Sequence, residues 1–323
     1  MTRADPRHDT TQRMDPGTGP GAYADGADAP SPPESAQAGA DAVHILTLSC
    51  ADRPGLVAAV AQLLFAAGGN IEEAQQFDDR TSGRFFMRIQ IALPTAAIRS
   101  IRPAIATLAE QFDMRWRLSP VDRHKRVLLM VSKFDHCLTD LLYRTRIGEL
   151  PMTIVGIVTN HPPATLAGVA TGDIPIHHLP MDPGGKAAQE AGVRDIVERD
   201  RVDLVVLARY MQILSDEMSG FLAGRCINIH HSFLPGFKGA KPYHQAHARG
   251  VKMIGATAHY VTADLDEGPI IAQDVEPVTH ADTPADLVRK GRDIERRVLA
   301  RAVRLHLEDR VLPNGQRTVI FEA

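Results

Sequence analysis

Five short runs of almost unbroken apolar residues constrain this chain most tightly: 126–132, 152–159, 174–177, 203–207 and 225–229. A strand with one wet face alternates apolar and polar residues. A run that is apolar throughout belongs to a strand covered on both faces, as in a parallel sheet flanked by helices. Helical patterns at 137–146, 186–199 and 216–222 separate the runs, and a long amphipathic stretch, 283–307, follows them. The alternation predicts a doubly wound, mostly parallel α/β sheet over residues 126–323.

The chain upstream has another rhythm. Residues 43–50 alternate as a strand, and Asp52-Arg53-Pro54-Gly55 turns into a helix over 56–67 that Gly68 and Gly69 stop. Strands at 71–78 and 85–93, a helix at 95–112 and a strand at 114–119 complete a βαββαβ unit of ferredoxin-like type. The domain therefore spans 41–120, with 121–125 as a short polar linker. Residues 1–40, rich in Pro, Gly, Ala, Asp and Ser, show no apolar periodicity and no signal-peptide core, and read as a disordered tail.

Composition excludes several classes of function. Lys and Arg total 36 against 39 acids, a net charge of −3, so no nucleic-acid partner is suggested. The 3 cysteines are far apart and form no CxxC pair, which disfavours disulfides and zinc and fits a reducing cytoplasm. No apolar run is long enough to span a membrane. His244 and His247 have metal-ligand spacing but lack a third ligand, so no metal is expected. The first strand-to-helix junction lacks a glycine-rich dinucleotide fingerprint, which leaves NAD chemistry without support.

Chemistry concentrates in 226–273. Asn228 and His230 stand two apart at the end of a strand, so their side chains project together where open α/β sheets keep ligands. Residues 256–261, with His259, alternate as a neighbouring strand, and the turn after them presents Asp266. An amide, an imidazole and a carboxylate together can stabilise an oxyanion and move a proton. Singly, each could equally be a satisfied polar group at a strand end.

Asn228-x-His230, Ser232-x-Leu234-Pro235, the His259 strand and Leu265-Asp266-x-Gly268-Pro269 resemble the 10-formyltetrahydrofolate formyltransferase family over roughly 126–310. The resemblance implies that Asn228, His230 and Asp266 are catalytic. It also implies folate contacts from Arg209, Tyr210, Met211 and His259 and from the backbone of the turn with Ala263, Asp264, Leu265 and Gly268. His259 would support that loop or simply be a satisfied strand histidine, and Arg209 could equally be a solvated charge. Where family members acting on a phosphorylated glycinamide carry a glycine-rich loop, this chain has Lys133, Phe134, Asp135 and His136. The N-terminal domain is similar to ACT domains, through its Asp52-Arg53-Pro54-Gly55 turn and the later Gly68-Gly69-Asn70. That similarity implies pairing into at least a homodimer. It also implies either an effector site for a small amino acid such as glycine or methionine, at Asp52, Arg53, Pro54, Gly55 and Asn70, or a pairing module with an unused site.

A formyltransferase core without its acceptor loop, behind an ACT domain, resembles the formyltetrahydrofolate deformylase family. The implied reaction is hydrolysis of 10-formyltetrahydrofolate to tetrahydrofolate and formate, supplying formate for purine synthesis and balancing the one-carbon folate pool without a prosthetic group. Two alternatives stay open: formyl transfer to an unphosphorylated amine, and a folate and amino-acid sensor without turnover.

Overall fold

The computed structural model describes residues 41–181, 185–236 and 242–322. The expected disordered tail, 1–40, lies outside the described residues. The N-terminal domain comprises β1 (Ala42–Ala51), α1 (Leu56–Ala66), β2 (Asn70–Asp79), β3 (Arg84–Leu93), α2 (Ile98–Phe112) and β4 (Arg115–Pro120), with sheet order β2-β3-β1-β4. Its alternating strands face one way into a core: Leu46, Leu48, Ile89 and Ile91 pack against Leu56, Val60 and Leu64 of α1 and Ile101 and Ile105 of α2.

The second domain runs β5 (Lys125–Val131), α3 (His136–Arg146), β6 (Met152–Thr159), β7 (Ile176–His178), α4 (Lys186–Arg199), β8 (Leu204–Leu207), α5 (Asp216–Phe221), β9 (Cys226–His230), α6 (Pro242–Ala248), β10 (Met253–Tyr260), β11 (Ile270–Pro277) and α7 (Pro284–Leu307). The sheet order is β11-β10-β9-β8-β5-β6-β7. β7, β6, β5, β8 and β9 are mutually parallel, as their apolar runs predict, and β10 and β11 are antiparallel additions. The strand order reverses between β5 and β8, so the crevice at their C-terminal ends is the switch point of the fold.

Lys125 departs from the expected linker. It is the first residue of β5, only 7% exposed. Its ammonium donates to the carbonyls of His306 (2.9 Å) and Leu307 (2.7 Å) and to Asp309 Oδ1 (2.8 Å). A cation placed on the last carbonyls of α7 satisfies groups that the helix cannot satisfy itself. The other end of α7 closes with a Thr283–Asp286 capping box.

A C-terminal hairpin, β12 (Val311–Asn314) and β13 (Arg317–Ile320), joins the domains. Leu312, Val319 and Phe321 enclose Phe86 on the sheet face that turns away from α1 and α2. Beside them Arg88, 1% exposed, donates to the Glu308 carbonyl and pairs with Glu73 at 3.1 Å. Arg310 reaches Glu73 as well, at 3.4 Å.

Candidate active site

The strand ends bring the three expected catalytic residues together. β9 pairs antiparallel with β10 so that Asn228 lies opposite His259 and His230 opposite Thr257. The chain leaving β10 turns back through Asp266, which adopts the left-handed conformation (φ 57°) that Asp tolerates better than most residues. This conformation brings its carboxylate between two imidazoles: Oδ2 is 3.2 Å from His230 Nδ1, and Oδ1 is 3.6 Å from His259 Nε2. Burial alone would raise the Asp266 carboxyl. The hydrogen bonds and charges of His230 and His259 outweigh burial and hold it well below the usual carboxylate range.

His230 is buried, and its Nε2 has no hydrogen-bond partner among the described residues. With Nδ1 turned to Asp266, the ring is oriented to donate from Nε2 to a substrate oxygen. His259 is 2% exposed; its Nδ1 lies 2.9 Å from the Tyr260 carbonyl oxygen, and its Nε2 faces both Asn228 Nδ2 (3.3 Å) and Asp266 Oδ1 (3.6 Å). It thereby orients the amide and leaves the second Nδ2 hydrogen for substrate. His259 also lines the cleft that opens beside the three residues.

A cleft of about 220 Å³ opens beside the three residues. Drug-sized ligands occupy pockets upward of about 300 Å³, so the cleft would enclose only part of such a molecule. Arg209, Tyr210, Met211, His259, Ala263 and Leu265 line it, together with Gln212, Ile213, Leu214, Val261 and Thr262, which the sequence reading did not single out. Met211, Ile213 and Leu265 are all more than half exposed at its rim. Large apolar side chains left in water around a cleft are the signal that marks a ligand face.

Two expected contacts fall elsewhere. The Asp264 carbonyl is engaged within its own turn, accepting from Thr262 Oγ1 (3.1 Å) and the Glu267 amide (3.2 Å). Gly268 packs its backbone on β10, where any Cβ would collide with the Tyr260 carbonyl oxygen. Its role is the close approach that glycine alone permits. Arg209 lines the cleft and also reaches Glu295, with Nε 3.2 Å from Oε2.

The effector residues are also divided. Asp52, Arg53, Pro54 and Gly55 form an exposed turn at the start of α1, with Gly55 at φ 91°. Arg53 donates to the Phe112 carbonyl and stacks over the Phe112 ring at 5.3 Å. Asn70 follows the other end of the 11-residue helix, roughly 16 Å away at 1.5 Å per residue. Within one chain they do not form a single pocket.

Among the described residues, one trio could in principle hold a metal ion: His136, Cys137 and Glu295. The Glu295 oxygens already accept from His136 Nε2 (2.8 Å) and Tyr243 Oη (2.7 Å), and the Arg209 guanidinium sits beside them. Burial pushes the Cys137 thiol up, away from the thiolate a metal would require. These residues suit an ion pair and not a cation site.

The chain is similar to known proteins over most of its length. The Formyl transferase family model matches residues 125–303, and the ACT domain model matches 44–101. A formyltetrahydrofolate deformylase of Corynebacterium sp. is 48% identical over 280 residues, covering 86% of this chain and 98% of the relative. The crystal structure of a formyltetrahydrofolate deformylase from Burkholderia mallei superposes with a TM-score of 0.83 at 52% identity, over 87% of this chain and all of that one. A glycinamide ribonucleotide transformylase from Symbiobacterium toebii matches 62% of this chain and 95% of its own, with 33% identity and a TM-score of 0.55.

Proposed function

The chain belongs to the formyl transferase family, among its formyltetrahydrofolate deformylases: it hydrolyses 10-formyltetrahydrofolate to tetrahydrofolate and formate, and we propose that Asn228, His230 and Asp266 carry that chemistry. The observation that supports the assignment most is the buried His230 ring, held at Nδ1 by Asp266 while Nε2 has no hydrogen-bond partner among the described residues. Water adds to the formyl carbon, and the electron pair of the C=O bond moves onto oxygen. The Asn228 amide and the Nε2–H of a protonated His230, whose Nδ1–H faces Asp266, donate to that oxyanion. Donors fixed in place before charge develops supply the largest share of such catalysis. Asp266 accepts a proton from the attacking water and keeps the imidazole oriented. Collapse breaks the C–N10 bond as N10 takes a proton, and formate leaves.

An Asn228→Ala variant tests the oxyanion role. Loss of one preorganised donor lowers kcat by about 10²–10³-fold with little change in KM. Steady-state formate release measures both. A rise in KM at constant kcat would make Asn228 a ground-state contact instead.

The pterin lies in the cleft against Met211, Ile213 and Leu265, with backbone groups of the 262–265 turn meeting its polar edge. Formate released here feeds purine synthesis, and the place of the reaction is the cytoplasm; among the described residues no helix is long and apolar enough to cross a membrane. The ACT domain supports a small amino-acid effector, glycine or methionine, whose carboxylate the amides of the 52–55 turn would hold. β2 and β4 are edge strands of the N-terminal sheet, and an unpaired ten-residue edge such as β2 invites a second copy. Sedimentation of the full chain tests the dimer; formate release with and without glycine or methionine tests the effector.

A further inference from the structure

We propose that Arg209 is the product-anion site of the reaction: its guanidinium receives the formate anion as the C–N10 bond breaks and holds it until it leaves. This inference rests on the hydrolytic reading of the site. Hydrolysis turns a neutral formyl group into an anion beside the Asp266 carboxylate, and like charges at such range repel. A cation facing the same cleft offsets that repulsion. Among the described residues that line the cleft, Arg209 is the only Lys or Arg.

The sheet puts Arg209 beside the catalytic histidine. β8 and β9 run parallel, with Leu207 opposite Asn228. Arg209 and His230 each stand two residues further on, so they follow neighbouring strand paths, roughly 4.8 Å apart, at the same level. The Ala208 amide donates to the Met130 carbonyl (2.8 Å) and the Arg209 carbonyl accepts from the Ser132 amide (3.2 Å), which ties this segment to the strand β5. Arg209 itself takes the left-handed conformation, with φ 66°. Such strain persists where the surroundings hold a group in place, and it clusters at ligand sites.

The guanidinium is buried, with Arg209 only 8% exposed. Glu295 answers its charge, with Oε2 3.2 Å from Nε. Yet neither Nε nor Nη1 has a hydrogen-bond partner among the described residues. Glu295 is engaged elsewhere: its oxygens meet His136 Nε2 (2.8 Å) and Tyr243 Oη (2.7 Å). A buried donor left unmet is costly, more so on a charged group. His230 Nε2 is a third such atom, and both residues line the one cleft of about 220 Å³. Burial, aided by Arg209, pushes the His231 ring down to about 4, so near neutral pH it brings no second cation there.

The chemistry matches these donors. Asn228 and His230 hold one oxygen of the tetrahedral intermediate, and water supplies the other. One proton of that water passes through Asp266 to N10 as the C–N10 bond breaks. The second is lost as the new acid ionises, and the carbon departs as HCOO⁻. A planar fork of N–H donors meets a carboxylate with two parallel bonds, and formate is the smallest carboxylate.

The test is product inhibition of the full-length enzyme by sodium formate, against sodium chloride at the same ionic strength, with tetrahydrofolate formation followed by absorbance. Formate should inhibit the wild type beyond the chloride control. Arg209→Lys keeps a charge for Glu295 but lacks the fork, and Arg209→Gln removes the charge. In both, the formate inhibition constant should rise by about tenfold or more. That constant is a concentration, so a smaller folded fraction does not move it, and Arg209→Lys suffices if Arg209→Gln fails to fold. Inhibition by added tetrahydrofolate should stay within a few-fold; equal weakening of both products would make Arg209 a structural support and overturn the proposal. The glutamyl end of the folate is a second source of carboxylate. If Arg209 held that end, the variants would raise KM for 10-formyltetrahydrofolate but not for 10-formyltetrahydropteroate, which lacks the glutamate, and would leave the formate constant unchanged. That pattern, or a wild type inhibited by formate no more than by chloride, would overturn the proposal while hydrolysis stood. A wild type that forms no tetrahydrofolate without an amine acceptor would instead overturn the hydrolytic reading.

Discussion

At the scale of single residues, the proposed chemistry turns on the arrangement of Asp266 between His230 and His259. Asp266→Asn keeps the shape but removes the proton acceptor, so kcat should fall by about 10²–10⁴-fold, the usual range for a general base. Folate binding, measured by fluorescence titration, should stay within a few-fold. Normal turnover would exclude Asp266 from the chemistry. Two other histidines set an acid limit on stability. Burial, aided by Arg209, pushes His231 down to about 4. Burial, aided by Lys125 and Arg117, pushes His306 down to about 3, where its Nδ1 meets the Tyr260 hydroxyl at 2.7 Å. Below its ordinary value of 6.5 an unfolded histidine binds a proton that these folded ones refuse. Stability therefore falls as pH drops from 6.5 toward 4, by roughly 1 kcal/mol per pH unit for each ring. Urea midpoints against pH should show this slope, and His306→Gln should flatten it. Asn228 and His230 were legible in the sequence because strand periodicity alone puts them on one side. The roles of Asp264 and Gly268 were not legible. Which side of a turn faces a pocket depends on single φ angles, and sequence pattern does not carry those.

At the scale of elements, the turn between β10 and β11 is the critical piece. Gly268→Ala would push a methyl group into the Tyr260 carbonyl, so the turn must shift and take Asp266 with it. A displacement of about 1 Å in a catalytic group can lower turnover by about 10²-fold. The variant should thus lose activity while its unfolding midpoint moves little, and retained activity would show that the turn adapts. The junction of β5 and α7 makes the opposite prediction. Lys125→Met removes the ammonium from two helix-end carbonyls and Asp309, and should cost about 3 kcal/mol in urea unfolding. The five parallel strands were legible because each is apolar on both faces. β11 and the β12–β13 hairpin escaped notice. Ile270–Pro277 mixes Gln, Asp and Glu into its second half, and four-residue strands carry too little pattern to stand out.

At the scale of the whole molecule, two domains recognisable separately in the sequence are joined by contacts that were not. Arg88 meets the Glu308 carbonyl across 220 positions, and Phe86 enters a pocket of Leu312, Val319 and Phe321. No periodicity announces such a junction, since each partner reads locally as an ordinary strand or hairpin residue. Arg88→Ala leaves the buried Glu308 carbonyl without its donor and Glu73 without its nearer guanidinium. The coupled unfolding of the two domains should then separate into two calorimetric transitions. A single transition with an unchanged midpoint would mean that the junction does not couple them. The central claim is that this molecule uses water as acceptor through Asn228, His230 and Asp266. Its most direct test is formate release from 10-formyltetrahydrofolate by the purified full chain with no amine present, run beside Asp266→Asn. Many turnovers by the wild type and almost none by the variant is the expected result. Formate that appears only when an amine acceptor is added, or equal release by both proteins, would contradict it.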